Sequence, residues 1–392
     1  MIRLERRSTF PKWLNWAVPI GSIVAALLAG ALLILSSGNS PWSTYARIVE
    51  RAFSSQDSFS ATLIAATPLL FTGLAAAAAF RMGVFNIGGQ GQFMMGAVAA
   101  SGVGLAYGES LGKGAIPLMI IAGVSAGASW SAISGALRAW FNTNEIITSL
   151  MLNYLAANFA SYLIFNSRSY WRLLTGSGLM FPQGKPLDES AHWKPLGLGS
   201  LQVPLGFLVG IAAALVVWVL YKQTRFGFEV RIIGDSPAAA NYAGMRTRRK
   251  VLSVMALSGG LAGLGGASDI GDARHVLDPK GLGQSGYGYS GIVIAALARL
   301  NPIAVVFVAM LMGGLANAGR ALQGPDFPAG LVGTLQGLVL FFALGGEILS
   351  RYRIRRKASS APPASGGSAA AVGSVVPGAS TAGALVPTGE KA

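Results

Sequence analysis

Residues 81–96 read RMGVFNIGGQGQFMMG, and residues 229–250 read EVRIIGDSPAAANYAGMRTRRK. The first stretch sets Asn86, Gln90 and Gln92 among five glycines between two apolar segments. An uninterrupted spanning helix would carry hydrocarbon there. The stretch is either a tight turn before an ordinary helix or a place where the backbone leaves helical geometry inside a membrane. The second alternative is tolerated only where protein or a water-filled cavity surrounds the chain, and broken helices of this kind recur at transporter binding sites. The second stretch is a long basic interruption and the most legible part of the chain. Ser236 suits a helix N-cap, Pro237 the first helical position, 238–243 the body, and Gly244 the left-handed position after the end. Two isolated turns of helix are marginal in water, so the rod rests on something, either the protein's own loops or a partner's groove.

Outward from these stretches the chain is apolar. Of 392 residues 52% are hydrophobic and only 11% charged, against roughly 25% charged in soluble domains. A bilayer core takes about 20 mostly apolar residues per helix. Stretches 17–35, 61–80, 93–107, 115–140, 146–165, 203–221, 251–267, 290–298, 303–318 and 330–349 predict an all-α polytopic membrane protein with roughly ten spans. The expected division is a basic N-terminal segment 1–16, a membrane domain 17–350 with a coupling loop 222–250, and a tail 351–392. Residues 358–392 lack aromatics and periodicity, the composition of a disordered segment.

The formal net charge of +15 would suggest nucleic acid in a soluble protein. Here 20 of the 30 Lys and Arg fall on one set of alternate connections, which the positive-inside rule assigns to the cytoplasm together with both termini. Nucleic-acid binding is set aside on that ground, and the basic residues 246–250 are placed at lipid headgroups. In the span starting at 146, Glu145, Ser149 and Asn153 stand at i, i+4 and i+8 and share one face. Glu145 reads first as a charge favoured by the helix N-terminus, and Asn153 as an interhelical hydrogen-bonding group. In 251–267, Gly259 and Gly263 make a close-packing GxxxG face. Segment 166–202 is expected outside as a small structure or a solvated loop, and 269–289 is expected outside as a charged, glycine-rich connection whose Gln284, Tyr287 and Tyr289 are candidates for the mouth of a pathway; Gln336 lies within the final span.

Several chemistries are excluded. The chain has no cysteine, and hence no disulfide, thiolate or cysteine metal site. No phosphate loop occurs, since Gly112-Lys113 is followed by glycine and preceded by Tyr107 where the first glycine belongs. GLGQSG at 281–286 matches a dinucleotide fingerprint by letter only, with no strand before it. His192 and His275, the only two histidines, lie far apart in sequence with no HExxH pattern, so neither a metal site nor a catalytic residue is proposed. Spans read as nearly free of ionisable residues suit an uncharged substrate and an external energy source.

Three elements in order, FNIGGQGQFMMGA at 85–97, NEIITSLMLNYLA at 144–156 and GDSPAAANYAGM at 234–245 before RRKVLSVMALSGGLAGLGG, resemble the inner-membrane permeases of binding-protein-dependent ABC importers. The branch is the one handling simple sugars, branched-chain amino acids and nucleosides, and the resemblance is strongest to nucleoside permeases of the guanosine type. It covers about 61–350. It implies a type II ABC importer-like permease in a bacterial inner membrane. Its implied partners are ATP-binding subunits, a second related permease and an extracytoplasmic substrate-binding lipoprotein, and it implies no cofactor. It further implies that Gly234, Asp235, Ala239, Ala240 and Gly244 belong to the helix that meets the ATPase. Asn86, Gln90, Gln92, Glu145 and Asn153 match polar positions along the substrate pathway.

Overall fold

A computed structural model describes residues 2–6, 14–322 and 330–356. The chain is a helical bundle. In order it forms α1 (Leu14–Ser36), α2 (Pro41–Phe53), α3 (Gln56–Phe80), α4 (Gly89–Leu111), α5 (Ala115–Phe141), α6 (Glu145–Phe165), α7 (Leu205–Gln223), α8 (Arg225–Asp235), α9 (Pro237–Tyr242), α10 (Thr247–Ser268), α11 (Pro279–Ser285), α12 (Tyr287–Leu297), α13 (Pro302–Ala321) and α14 (Leu331–Arg351). Two antiparallel pairs of short strands complete it. β1 (Ile2–Arg6) pairs with β4 (Tyr352–Arg356), and β2 (Leu196–Leu198) with β3 (Leu201–Val203).

α3 is the axis of the bundle. Ser55 caps it by accepting from Ser58 N, and nearly all of it from Ser60 to Ala79 is buried against α7, α10, α12 and α13. Its small-sided second half permits this, because close backbone approach replaces the hydrophobic drive that lipid does not supply. The tightest packing joins α4, α5 and α10. A Cβ on Gly259 or Gly263 would strike the α5 backbone at Gly127 or Gly123, so these two helices meet main chain to main chain. The GxxxG face expected from sequence is therefore occupied, with α5 as its partner.

Among the described residues, six helical stretches are long and apolar enough to cross a membrane, or seven if the bent pair α1–α2 counts as one span. The expectation of roughly ten differs at three places: α14, a helix of 21 residues, is not among the counted stretches, and the other two differences have structural reasons. One stretch of 53 residues, Gly89–Phe141, doubles back at Gly112 as α4 and α5, since Gly96 of α4 faces Gly123 of α5. The stretch 290–298 belongs to α12, whose 11 residues rise only about 16 Å, too short to span. α12 and α11 are instead two short helices meeting at Gly286, which holds φ +58°.

Three other boundaries move. α10 does not stop at 267 but runs on through a π-helical turn, Asp269–Arg274. This carries Asp269, Asp272 and Arg274 into the same helical stretch, Thr247–Arg274. The spans are therefore less free of charge than the sequence suggested. Asp269 is 5% exposed and pairs with Arg274 at 2.5 Å, while Asp272 Oδ2 accepts from Gly206 N at 2.9 Å. The Asp269–Arg274 pair makes the burial of Asp269 tolerable, and pairing across turns is invisible to a hydropathy window. The tail placed at 351 begins later, since Tyr352–Arg356 pairs with Ile2–Arg6 in register Leu4↔Ile354. That also gives the segment 1–16 a strand and the start of α1. The stretch 358–392, expected to be disordered, lies outside the described residues.

Candidate functional site: a stitched helix break and a capped rod

After α3 the chain turns at Arg81–Gly83, runs extended to Ile87 and re-enters helix at Gly89. The piece is buried on one side: Val84 is 6% and Asn86 3% exposed, while Phe85 is 47% exposed. Backbone groups withdrawn from water need partners. The polar stripe of α6 supplies them. Phe85 N donates to Glu145 Oε1 at 3.3 Å, Ile87 N to Ser149 Oγ at 3.2 Å, and Gly91 N to Asn153 Oδ1 at 2.8 Å. Asn153 Nδ2 returns a bond to Ile87 O at 3.0 Å. The i, i+4, i+8 spacing thus matches a run of main chain, one bond per turn. Arg138 balances Glu145 at 3.4 Å.

Asn86 and Gln92 lock the break from the other side. Their carboxamides exchange bonds at 3.0 and 2.9 Å, and Asn86 Nδ2 also donates to Ser258 Oγ at 2.9 Å. The Ser258 hydroxyl donates to Ala75 O at 2.7 Å. Gln90 joins this break to the second one: its Nε2 donates to Leu282 O at 2.8 Å, and its Oε1 accepts from Gly288 N at 2.8 Å. Two helix interruptions, at 81–88 and at Gly286, therefore abut and share one glutamine.

All five residues singled out along the pathway are brought into this one junction. All are buried, and their polar groups are engaged by protein: Asn86 3%, Gln90 4%, Gln92 1%, Glu145 7% and Asn153 4% exposed. Their geometry is that of a scaffold. The side chain they steer toward open space is Tyr289, whose hydroxyl receives Asn153 Nδ2 at 3.4 Å and which is 43% exposed. The sequence did place Tyr289 near a pathway mouth, but the second break beside it was missed. Its signal was the run GLGQSGYGY across 281–289, too glycine-rich for a continuous helix. Asn153→Leu removes the partners of the Gly91 N–H and the Ile87 carbonyl, each costing about 1–3 kcal/mol when stranded. The midpoint of heat inactivation in lipid nanodiscs is expected to fall well below wild type, and an unchanged midpoint would refute the stitch.

At the end of the bundle that holds Arg81, whose Nε donates to Leu300 O at 2.9 Å, lies the rod α9. Ser236 Oγ accepts from Ala239 N at 3.3 Å, and Gly244 holds φ +75°, so both ends take the expected caps. Ala240 is fully buried and seats the rod on the bundle's own core. Gly234 packs beside the Arg81 and Met82 backbone, while Asp235, Ala239 and Gly244 are exposed. Sequence reading missed Tyr242, which is 98% exposed on a rod otherwise made of small residues. Beside it a polar cavity of about 450 Å³ is lined by Gly244, Arg246, Arg249 and Lys250, among others. Glu229 pairs with Lys250 across it at 2.6 Å.

At the opposite end, segment 166–204 closes over the π-helical extension. Trp193 N donates to Gly271 O at 3.0 Å and Leu187 N to His275 O at 2.8 Å. The two histidines, distant in sequence, stack with centroids 3.7 Å apart and planes within 16°. Burial, and then the neighbouring His192, hold the His275 imidazole below its ordinary range.

Comparison with known proteins agrees with this architecture. A family profile described as "branched-chain amino acid transport system / permease component" matches residues 58–344. Similar relatives include the glucose ABC transporter permease protein TsgB13 of Haloferax volcanii, 35% identical over 94% of this chain and 98% of that one. The guanosine ABC transporter permease protein NupP of Bacillus subtilis is 33% identical over 86% of this chain and 94% of that one. The nucleoside ABC transporter permease protein NupB of Lactococcus lactis is 29% identical over 83% of this chain and 89% of that one. A multi-span bundle built on close glycine contacts, matched across most of its length, makes this chain a member of that family of transport-system permease components.

Proposed function

We propose that the protein is the membrane-spanning subunit of an ATP-driven, binding-protein-dependent importer, and that it carries nucleosides. The observation that carries the first part is α9, a capped rod with a nearly naked tyrosine beside a basic cavity, in a chain with no phosphate loop of its own. An exposed aromatic next to small residues is the kind of anchor a partner's groove takes. On this reading Gly234, Asp235, Ala239, Ala240 and Gly244 shape the contact with an ATP-binding subunit. Ala240 and Gly234 hold the rod from behind, and Tyr242 is the anchor. A second, related permease and an extracytoplasmic substrate-binding lipoprotein complete the assembly, with both termini and the rod in the cytoplasm of a plasma membrane. Asn86, Gln90, Gln92, Glu145 and Asn153 fix the paired helix breaks that border the pathway.

Nucleosides are favoured by two of the three relatives above and by the FNIG and LMLNY elements. A glucose permease among the relatives supports simple sugars as the second reading. Uptake of labelled guanosine challenged with unlabelled adenosine, glucose, ribose and leucine separates the two. Competition by adenosine alone is expected, and competition by glucose alone would establish the sugar reading. Tyr242→Glu tests the coupling. Because Tyr242 touches little of its own chain, the variant is expected to fold, yet to bind the ATP-binding subunit more weakly by about 2 kcal/mol, roughly thirtyfold. Unchanged co-purification, or uptake without any ATPase present, would defeat the proposal.

A further inference from the structure

Beside the paired breaks, between α3, α12, α13 and α14, lies a cavity of about 220 Å³. Three polar side chains face it, Tyr289 and Ser290 from the first turn of α12 and Gln336 from α14. Its remaining wall is apolar, formed by Leu69, Val293 and Met312. Gly333 and Gly337, one turn apart on α14, complete it, and a Cβ at either would meet nothing within 4 Å. The glycines are what leave the space open. No ionisable group other than the Tyr289 phenol lines it.

We propose that this cavity receives the heterocyclic base of a nucleoside in transit, with the Tyr289 ring as its stacking face and the Gln336 carboxamide and Ser290 hydroxyl at its edge. The proposal rests on the nucleoside reading above and assigns contacts that reading leaves open. Four features carry it. The volume is below the roughly 300–1,000 Å³ of pockets for drug-sized ligands, which suits a flat ring system and leaves the sugar outside. The lining is neutral, which fits an uncharged base and disfavours phosphorylated forms, since a phosphate would be buried without a cation. A carboxamide offers one donor and one acceptor in a plane, the pattern needed for the edge of a purine. A hexose, by contrast, turns hydroxyls in all directions and would leave most of them unpaired against Leu69, Val293 and Met312, at a cost for each.

The position supports the same assignment. Asn153 bonds both the backbone of the first break and the Tyr289 hydroxyl, while Gln90 bonds Gly288 beside it. The stacking ring is thus held by the junction that positions both half-helices, and a shift of α12 against α4 would move it. A gate built this way would couple movement of the helices to release of the base.

The test uses the complete transporter, with its ATP-binding subunits, companion permease and binding protein, reconstituted in proteoliposomes and assayed with labelled guanosine and labelled glucose. A Cβ at Gly337 or Gly333 meets nothing within 4 Å, so Gly337→Leu and Gly333→Leu extend into the cavity and folding is expected to persist. Guanosine uptake is expected to fall roughly tenfold or more. Tyr289→Phe keeps the ring and is expected to retain most uptake, whereas Tyr289→Ala loses it. Gln336→Ala is expected to change the ratio of guanosine to adenosine uptake. Should the leucine variants fail to fold, the Gln336→Ala ratio decides, and an unchanged ratio overturns the assignment. Wild-type guanosine uptake with both leucine variants at full rate also overturns it and leaves the nucleoside reading standing. Glucose uptake without guanosine uptake overturns the nucleoside reading and the base site with it.

Discussion

Gly263→Leu is expected to abolish recovery of folded protein from membranes, while Gly21→Leu is expected to leave the yield unchanged. A Cβ at position 263 would collide with the Gly123 carbonyl and lie 2.9 Å from Gly127 Cα. These are main-chain atoms of α5, so no rotamer change can make room. Overpacking a core with side chains that yield costs about 1–3 kcal/mol. Here the only relief is to part α5 from α10, which also pulls on α4 through Gly96 and Gly266. At Gly21 of α1 nothing lies within 4 Å, so the same change adds bulk to an open face. The comparison separates a packing effect from a general intolerance of leucine, and size-exclusion chromatography of both variants after solubilisation reads it directly. Equal yields would mean that α5 and α10 do not meet as described.

Arg274→Met is expected to be the most destabilising change outside the glycine contacts. Arg274 reaches the buried Asp269 at 2.5 Å, Asp278 at 3.6 Å and the Gly281 carbonyl at 3.4 Å. It therefore ties the π-helical end of α10 to α11. Removing one partner of a buried ion pair costs about 3–5 kcal/mol, because the other charge stays behind uncompensated, whereas replacing both by apolar groups is often close to neutral. The double variant Asp269→Leu/Arg274→Met should accordingly be more stable than Arg274→Met alone, a reversal that simple loss of packing does not produce. Heat inactivation of the purified protein in nanodiscs measures both. If the double variant is the worse of the two, Asp269 is not stabilised chiefly by Arg274.

What could be read from sequence was whatever is specified locally. Ser236, Pro237 and Gly244 mark the ends of α9 within nine residues, and caps act over one turn. The stripe Glu145, Ser149 and Asn153 was visible as a helical period, though its partner was not. Nothing local says that the main chain from 85 to 91 lies alongside it, because that contact is 60 or more residues away in the chain. The segment 269–274 was misplaced for the same reason. Its charges lower hydropathy, and only the fold shows that Asp269 and Arg274 pair and that the segment remains helical. Tyr289 and Gln336 were each seen singly. Their joint lining of a cavity depends on α12 and α14 being neighbours, a fact of tertiary arrangement.

The antiparallel pairing of Ile2–Arg6 with Tyr352–Arg356, together with the packing of α1 on α14, carries a consequence for biogenesis. α1 is completed only by α14, which follows it by some three hundred residues, so it waits in the bilayer while those are made, roughly 15 to 60 seconds at common elongation rates. The broad apolar face of α1, with Ile20, Leu28 and Leu32 each more than half exposed, is suited to that interval alone among acyl chains. Pairing of α1 with α14 therefore waits on synthesis of the whole bundle between them, and a ribosome that stops before α14 leaves α1 unpartnered for quality control to find.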